Sequence, residues 1–159
     1  MYDKSFMLQA VDIAYTNSNL SKGGPFGASV VKDGKLISCE SNTVLSTNDP
    51  TAHAEINAIR KACQKLQTHD LSDCELYATG YPCPMCLGAI MWANIRKVYI
   101  SGTLEDAENI GFKDKHIYET IDNLSKMCYN TNELEFEFKD RNLAQELYKN
   151  YSISNGIIY

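Results

Sequence analysis

The chain has 159 residues, with 15 Lys and Arg against 20 Asp and Glu and a formal net charge of −5 at pH 7. This length suits one domain with a single core, and the acidic balance argues against nucleic acid as a partner, because nonspecific nucleic-acid binding needs clustered Lys and Arg. No apolar run approaches the roughly 20 residues of a membrane span, and no apolar signal segment opens the sequence, so we expect a cytoplasmic protein whose six Cys are reduced.

The first part of the chain predicts a helix followed by a hairpin. Apolar residues at helical spacing predict an amphipathic helix over Lys4–Asn19. Two β-favouring stretches, 28–32 and 35–39, flank Asp33 and Gly34. The Asp-Gly pair favours the tight turns that match strand twist, so these stretches predict two antiparallel strands.

The middle of the chain predicts an alternation of helices and strands. The Ala-rich stretch 51–66 predicts a helix with His53 and Glu55 in its first turn. A strand is predicted over 74–79, and an apolar helix over 82–94. Such alternation is typical of α/β proteins in which helices pack over a sheet with parallel neighbours.

The last third is less regular. Lys97–Ile100 predicts a short strand, and the polar stretch 102–116 predicts a loop. Alternation over 133–138 predicts another strand, and 141–151 predicts a last helix. The final eight residues, 152–159, have an apolar content that favours docking over fraying.

Four side chains in two short motifs indicate a metal site. His53 lies two residues before Glu55, and Cys83 and Cys86 have the Cys-x-x-Cys spacing at the start of a predicted helix. Side chains three positions apart share a helix face, so both sulfurs can bind one ion. Three ligands beside a spare carboxylate are typical of catalytic zinc, which keeps one position open for water.

Glu55 is then the natural proton carrier, because a carboxylate beside the zinc-activated water can move its proton to a ring nitrogen and on to a departing amine. This is the arrangement of hydrolytic nucleobase deamination. The alternative is a structural zinc site that only joins two helices; it would want a fourth protein ligand and would leave Glu55 unexplained. The remaining four Cys lack such spacing and are expected to be inert thiols.

In addition to these motifs, residues 23–27, 46–55 and 111–114 resemble the cytidine-deaminase-like superfamily and, within it, the bacterial-type guanine deaminases. The segment 106–114 separates the chain from the tRNA-adenosine deaminases, which carry small residues there. The resemblance implies a three-layer α/β/α fold with a central mixed sheet of about five strands. It also implies one Zn²⁺ per chain and a purine base as substrate.

Residue roles follow from the same resemblance. It assigns zinc to His53, Cys83 and Cys86, and the general acid/base role to Glu55. It suggests Asp114 as a second acidic group that faces the purine amine and orients it or carries a proton.

Five further residues are candidates for binding the substrate. Phe26, in a Gly/Pro loop, is a stacking candidate through the resemblance, although it could be a core aromatic. Asn42 can present a donor and an acceptor to a purine edge, or be a turn residue. Trp92, on the helix that carries the Cys ligands, could line the pocket or belong to the core. Ala54 and Tyr159 complete the set, Ala54 beside His53 and Tyr159 at the end of the tail.

The resemblance further implies a homodimer in which the C-terminal helix and tail, about 141–159, cross to the partner subunit and close its active site. The tail differs from the family in length and residues. A second difference is Tyr81, which stands where the family commonly has Glu before the Pro-Cys-x-x-Cys segment.

The sequence therefore favours a cytosolic zinc aminohydrolase that converts guanine to xanthine and ammonia. A tRNA-adenosine or cytosine-type deaminase shares the same zinc chemistry and remains the alternative among enzymes. A catalytically silent, zinc-stapled module that binds purines or a protein is the alternative of another class.

Overall fold

The structure is a computed structural model that describes residues 2–126, 134, 136–137 and 139–154. The chain divides into two compact units, Met1–Tyr118 and Glu119–Tyr159. The first unit contains the sheet and all the predicted metal ligands. The assignment of the whole chain to a single domain stays a prediction.

Seven helices and four strands lie in the described part of the chain. The helices are α1 (Lys4–Asn19), α2 (Val44–Thr47), α3 (Ala54–Leu66), α4 (Pro84–Trp92), α5 (Leu104–Asn109), α6 (Lys115–Ser125) and α7 (Arg141–Ile153). The strands are β1 (Gly27–Lys32), β2 (Lys35–Ser41), β3 (Cys74–Ala78) and β4 (Lys97–Ile100).

The strands form one mixed sheet with the order β2-β1-β3-β4. β1 pairs antiparallel with both β2 and β3, whereas β3 and β4 run parallel. Because β1 opposes β3, the start of β1 at Gly27 lies beside the end of β3 at Ala78. The predicted mixed sheet is confirmed with four strands, and half of the predicted fifth, over 133–138, lies outside the described residues.

The alternation of side chains along β1 and β3 divides the core between two faces of the sheet. Ala28, Val30 and Leu76 belong to the cluster that includes residues of α3 and α4. Val31 and Tyr77 pack on the opposite face, in the cluster that includes residues of α1. Since successive side chains of a strand point to opposite faces, this division produces the predicted three layers of helix, sheet and helices.

A stripe of small residues brings α3 close to the sheet. Ala54, Ala58 and Ala62 are fully buried at four-residue intervals, the spacing of one helix face. A larger side chain at Ala58 would overpack this contact at a cost of about 1–3 kcal/mol. The Ala stripe therefore fixes the distance between the sheet and the helix that follows His53.

Most element boundaries agree with the sequence within a few residues. α1 and β4 have the predicted limits, and the hairpin has its turn at Asp33 and Gly34. α3 begins at Ala54 instead of residue 51, with His53 as its extended N-cap residue. His53 therefore precedes the first turn, while Glu55 lies inside it.

The prediction of a loop over 102–116 is wrong. Thr103 and Asp106 form a reciprocal capping box, with hydrogen bonds of 2.7 Å and 3.2 Å between each backbone N–H and the other side chain, and α5 follows. These bonds satisfy backbone donors at the helix start, which stabilises a helix too short to show apolar periodicity. α2 and α6 were also not predicted.

In the second unit, α7 spans Arg141–Ile153, close to the predicted 141–151. Across the residues that the structure describes, no helix is both long and apolar enough to span a membrane.

Candidate active site

A cavity of about 480 Å³ opens where β1 begins and β2 ends, beside the first turns of α3 and α4. This volume falls within the range of roughly 300–1,000 Å³ that is typical of small-molecule sites. Six of the predicted site residues line it: Phe26, Asn42, His53, Glu55, Cys83 and Asp114.

The three predicted metal ligands meet at one side of this cavity. His53 Nδ1 lies 3.6 Å from Cys83 Sγ and 3.7 Å from Cys86 Sγ, and all the ligand atoms lie within 4.8 Å of one another. Tetrahedral zinc, with Zn–S near 2.3 Å and Zn–N near 2.0–2.1 Å, requires a nitrogen and a sulfur ligand about 3.6 Å apart. Both nitrogen–sulfur distances therefore fit a tetrahedral zinc ion.

A hydrogen bond between the two thiols shifts their pKa values in opposite directions. Hydrogen bonding from Cys86, aided by His53, lowers the pKa of Cys83 to about 4, while the pKa of Cys86 is raised because it donates to Cys83 and is buried. The same contact with Cys83 raises the pKa of His53. The lowered pKa of Cys83 favours the thiolate form that a zinc ligand requires, and zinc binding would release the remaining thiol proton.

Glu55 lines the cavity from the first turn of α3 and is only 8% exposed. Burial raises the pKa of its carboxyl group, and the negative Cys83 adds to this effect. A buried carboxyl group with a raised pKa is suited to taking and giving protons near neutral pH.

Asp114 lines the same cavity from the residue directly before α6. Its pKa is raised by burial and by the negative charge of Cys83. Its backbone carbonyl accepts hydrogen bonds from the N–H groups of Ile117 at 3.0 Å and Tyr118 at 3.3 Å, so Asp114 leads directly into the first turn of the helix. The cavity therefore holds two carboxyl groups, Glu55 and Asp114, that come from distant parts of the chain.

Phe26 forms part of the cavity wall together with an aromatic residue that had no predicted role. The rings of Phe26 and Phe112 pack edge to face, with centroids 4.9 Å apart and planes at 83°. A Cβ on Gly24 would lie 3.0 Å from Phe112 and 3.1 Å from Phe26. One sequence feature pointed to Phe112: it lies within the segment 111–114, which resembles the family.

Asn42 uses its side-chain oxygen within the chain. Asn42 Oδ1 accepts hydrogen bonds from the N–H groups of Gly24 and Val44, both at 3.2 Å. The Nδ2 amide of Asn42 is therefore the group that can donate to a ligand. This differs from the prediction that Asn42 offers both a donor and an acceptor to a purine edge. A Cβ on Gly23 would collide with Asn42, so the glycine permits this close approach.

Asn57 joins the loop of Asn42 to the residues before His53, a role that was not predicted. Its Nδ2 donates to the backbone carbonyl of Ser41 at 2.9 Å and to Thr43 Oγ1 at 3.0 Å. It also lies 3.3 Å from the carbonyl of Ala52. One amide thus holds both chain segments in register at the cavity.

The other predicted site residues lie elsewhere. Ala54 is fully buried in the core cluster, where its side chain does not line the cavity. Trp92 ends α4 and is 72% exposed, so the alternative of a core residue is wrong, and it does not line the cavity of its own chain. Tyr159 lies outside the described residues. Tyr81, next to the metal-binding segment, lines the cavity and is 42% exposed.

Known proteins are similar to this chain in sequence and in fold. The model of the cytidine and deoxycytidylate deaminase zinc-binding region matches residues 1–102. Guanine deaminase from Bacillus subtilis is 49% identical over 122 residues, which cover 77% of this chain and 78% of that protein. The tRNA-specific adenosine deaminase from Aquifex aeolicus is also 49% identical, but over 77 residues, 48% of this chain and 51% of that enzyme.

Among solved structures, the X-ray structure of guanine deaminase from Bacillus subtilis superposes with a TM-score of 0.83 and 40% identity. The superposition covers 100% of this chain and 98% of that one. The similarity to the guanine deaminase thus continues beyond the zinc-binding region, to the part of the chain that contains Phe112 and Asp114. The chain belongs to the cytidine and deoxycytidylate deaminase zinc-binding family, on its guanine deaminase branch.

Proposed function

We propose that the protein is a zinc-dependent guanine deaminase, a hydrolase that converts guanine and water to xanthine and ammonia. One observation carries the proposal: the three zinc ligands meet beside a single cavity, which two carboxyl groups and an aromatic pair also line. The similarity to guanine deaminase over most of the chain supports the choice of substrate.

Binding would orient the flat purine ring in this cavity. The half-buried Phe26 ring, packed edge to face with Phe112, offers an aromatic surface for stacking. The Nδ2 amide of Asn42 can donate a hydrogen bond to an acceptor on the ring edge, such as the guanine carbonyl oxygen. These contacts would present the amino-bearing C2 carbon to the side of the cavity that carries His53 and Cys83.

A zinc ion held by His53, Cys83 and Cys86 would lower the pKa of a water molecule and supply a nucleophile at neutral pH. Glu55 accepts the proton that this water loses and delivers it to the ring nitrogen beside C2. A C–O bond forms at C2 and the C–N bond to the amino group breaks. The remaining proton of the added oxygen passes through Glu55 to the amine, which Asp114 orients or helps to protonate, so that the amine leaves as ammonia, C2 becomes a carbonyl and the overall reaction consumes one water.

The proposal is tested with purified, zinc-loaded protein by measuring ammonia release and xanthine formation from guanine. Cytosine, adenosine and an anticodon stem-loop serve as competing substrates. We expect turnover of guanine with one ammonia per xanthine. Activity on the other three substrates without activity on guanine would overturn the assignment and favour the tRNA-adenosine or cytosine-type alternative.

Glu55→Gln separates an enzyme from a silent binding module. The variant should keep one zinc per chain, because Glu55 is not a ligand, and should lose about 10²- to 10⁴-fold in kcat, the usual contribution of a general acid/base. A wild-type protein that binds zinc and purines without turning over any of them would support the silent module instead.

We further propose that the protein works in the cytoplasm, in purine metabolism, as a homodimer in which residues 141–159 close the partner's site. The cysteines identified as free, including the buried Cys74, suit a reducing compartment.

The resemblance favours the exchange of the C-terminal segment. Exposed apolar residues on α7, among them Leu143 and Leu147, support a helix that docks on another surface.

Mixing two inactive variants tests the exchange. A chain that lacks residues 155–159 keeps its catalytic residues, and a Glu55→Gln chain keeps its tail. If the tail closes the partner's cavity, unfolding and refolding the two together should restore roughly a quarter of the wild-type activity, from mixed dimers with one complete site. Light scattering gives the oligomeric state, and a monomer, or a truncated chain with full activity, would exclude this arrangement.

A further inference from the structure

One hydrogen bond joins the two sides of the cavity through the first turn of α6. The hydroxyl group of Tyr118 donates to the backbone carbonyl of Pro82 over 2.6 Å, across 36 positions of sequence. This distance lies at the short end of the range for O–H···O hydrogen bonds. The contact therefore ties α6 to the segment that carries the zinc ligands.

The acceptor is placed to act on a metal ligand. Pro82 is fully buried, and its carbonyl belongs to the peptide bond that leads into Cys83. Neither Pro82 nor Pro84 has a backbone N–H, so this segment has few donors with which to hold itself in place. The hydrogen bond from Tyr118 fixes the peptide directly before the Cys83 side chain.

The donor is placed to act on Asp114. Tyr118 lies four residues after Asp114, and its backbone N–H donates to the Asp114 carbonyl at 3.3 Å. Both residues thus belong to the same helical turn. Burial raises the pKa of the Tyr118 phenol to about 12, so the hydroxyl group keeps its proton and remains a donor at physiological pH.

We propose that Tyr118 is a positioning residue that sets the placement of Asp114 relative to the zinc ligand Cys83, through its hydrogen bond to Pro82. The role in turnover rests on the proposed deaminase activity, whereas the role in holding the metal-binding segment does not. Tyr118 acts on the reaction through these neighbours, since it does not line the cavity.

Loss of the phenolic oxygen should have two effects. The Pro82 carbonyl loses its partner, and removing an outer hydrogen bond around a metal site typically lowers metal affinity by about 10- to 100-fold. The distance between Asp114 and Cys83 is then no longer fixed. A displacement of about 1 Å in a catalytic arrangement can lower the rate by about 100-fold.

The test compares Tyr118→Phe with Tyr15→Phe, a matched control on α1 whose tyrosine is 69% exposed. Zinc release to a chromophoric chelator, kcat and KM for guanine with saturating zinc, and the thermal midpoint are measured for each. We expect Tyr118→Phe to release zinc about 10-fold faster and to lose about 10-fold or more in kcat, with little change in KM. The control should match the wild type.

The double variant Asp114→Asn/Tyr118→Phe tests the connection between the two residues. If Tyr118 acts by placing Asp114, the double variant should turn over guanine no more slowly than Asp114→Asn alone. Additive losses, or a Tyr118→Phe protein with zinc release and kcat within twofold of the wild type, would overturn the proposal. Faster zinc release from a protein that never turns over guanine would support the metal-holding role and exclude the guanine assignment.

Discussion

The two sides of the cavity are built in different ways. The metal-binding side uses residues that are close in sequence: His53 with Glu55 at the start of α3, and Cys83 with Cys86 at the start of α4. His53 and Cys83 are the extended N-cap residues of these helices, and Glu55 and Cys86 lie in the first turns, so one helix start places each pair. Much of this side is therefore determined by short-range spacing.

The substrate-binding side gathers residues from separate loops. Phe26 precedes β1, Asn42 follows β2, and Asp114 precedes α6. Their proximity depends on the sheet register and on contacts such as the Phe26–Phe112 pair. The residues proposed to carry the reaction thus lie in local motifs, whereas those proposed to select the substrate come together only through the tertiary structure. Substitutions of the zinc ligands should accordingly lower zinc content together with turnover, whereas substitutions on the other side should change kcat or KM for guanine without changing zinc content.

The largest effect is expected from removing a zinc ligand. Cys86→Ser should lower zinc content and reduce kcat/KM for guanine by at least about 1,000-fold, because water without the metal returns toward its ordinary pKa. Metal analysis and turnover measure both quantities. Cys63→Ser, outside the cavity, is the matched control and should keep its zinc. A Cys86→Ser protein with full zinc and turnover would remove Cys86 from the ligand set.

Asp114→Asn should affect turnover without affecting the metal. We expect kcat for guanine to fall about 100-fold or more, since proton transfer by a positioned side chain contributes about 10²- to 10⁴-fold. Zinc content should stay at one per chain. Unchanged turnover by the fully zinc-loaded variant would exclude a role for Asp114 and weaken the contrast between the two sides.

Phe112→Ala should act on binding. Loss of the edge-to-face pair, worth about 0.5–1.5 kcal/mol, should raise KM for guanine by about 2- to 12-fold while kcat changes little. Phe112→Tyr keeps an aromatic edge and is the control. If KM stays constant, Phe26 does not depend on Phe112 for its orientation.

The smallest effect on activity is expected at α5. Thr103→Ala removes one half of the capping box and should lower the free energy of unfolding by about 1 kcal/mol, measured by denaturant titration. Guanine kinetics should remain within twofold, and Thr103→Ser should restore stability. A large loss of turnover would show that α5 shapes the cavity more directly than its contacts indicate.

The features that could be predicted from the sequence are the local ones, and those that depend on distant residues could not be predicted. α1, the Asp33-Gly34 hairpin and β4 follow from periodicity and turn chemistry over short distances. The zinc ligands and Glu55 follow from spacing alone. The elements and the residue types of the ligands are determined by neighbours along the chain, whereas the meeting of His53 with Cys83, 30 positions away, depends on how the fold brings α3 and α4 together.

The features that escaped prediction depend on distant residues or on very short elements. α5 has only six residues, and its best sign was the Thr103 and Asp106 spacing of a capping box. The hydrogen bond from Tyr118 to Pro82 and the use of Asn42 Oδ1 by Gly24 have no sequence pattern, because they arise from how separate loops meet. No local rule could supply them.

The mixed pairing of the sheet bears on how this chain can evolve. Because β1 runs against β3, the loop that enters β1 and the loop that leaves β3 meet at one edge. Mutations in these two loops, which contribute Phe26 and Tyr81 to the cavity wall, can therefore change that wall while the strands and the helix starts with the zinc ligands stay the same. Selection for a new aminated substrate can proceed through loop substitutions, without an intermediate that loses its hydrolytic chemistry.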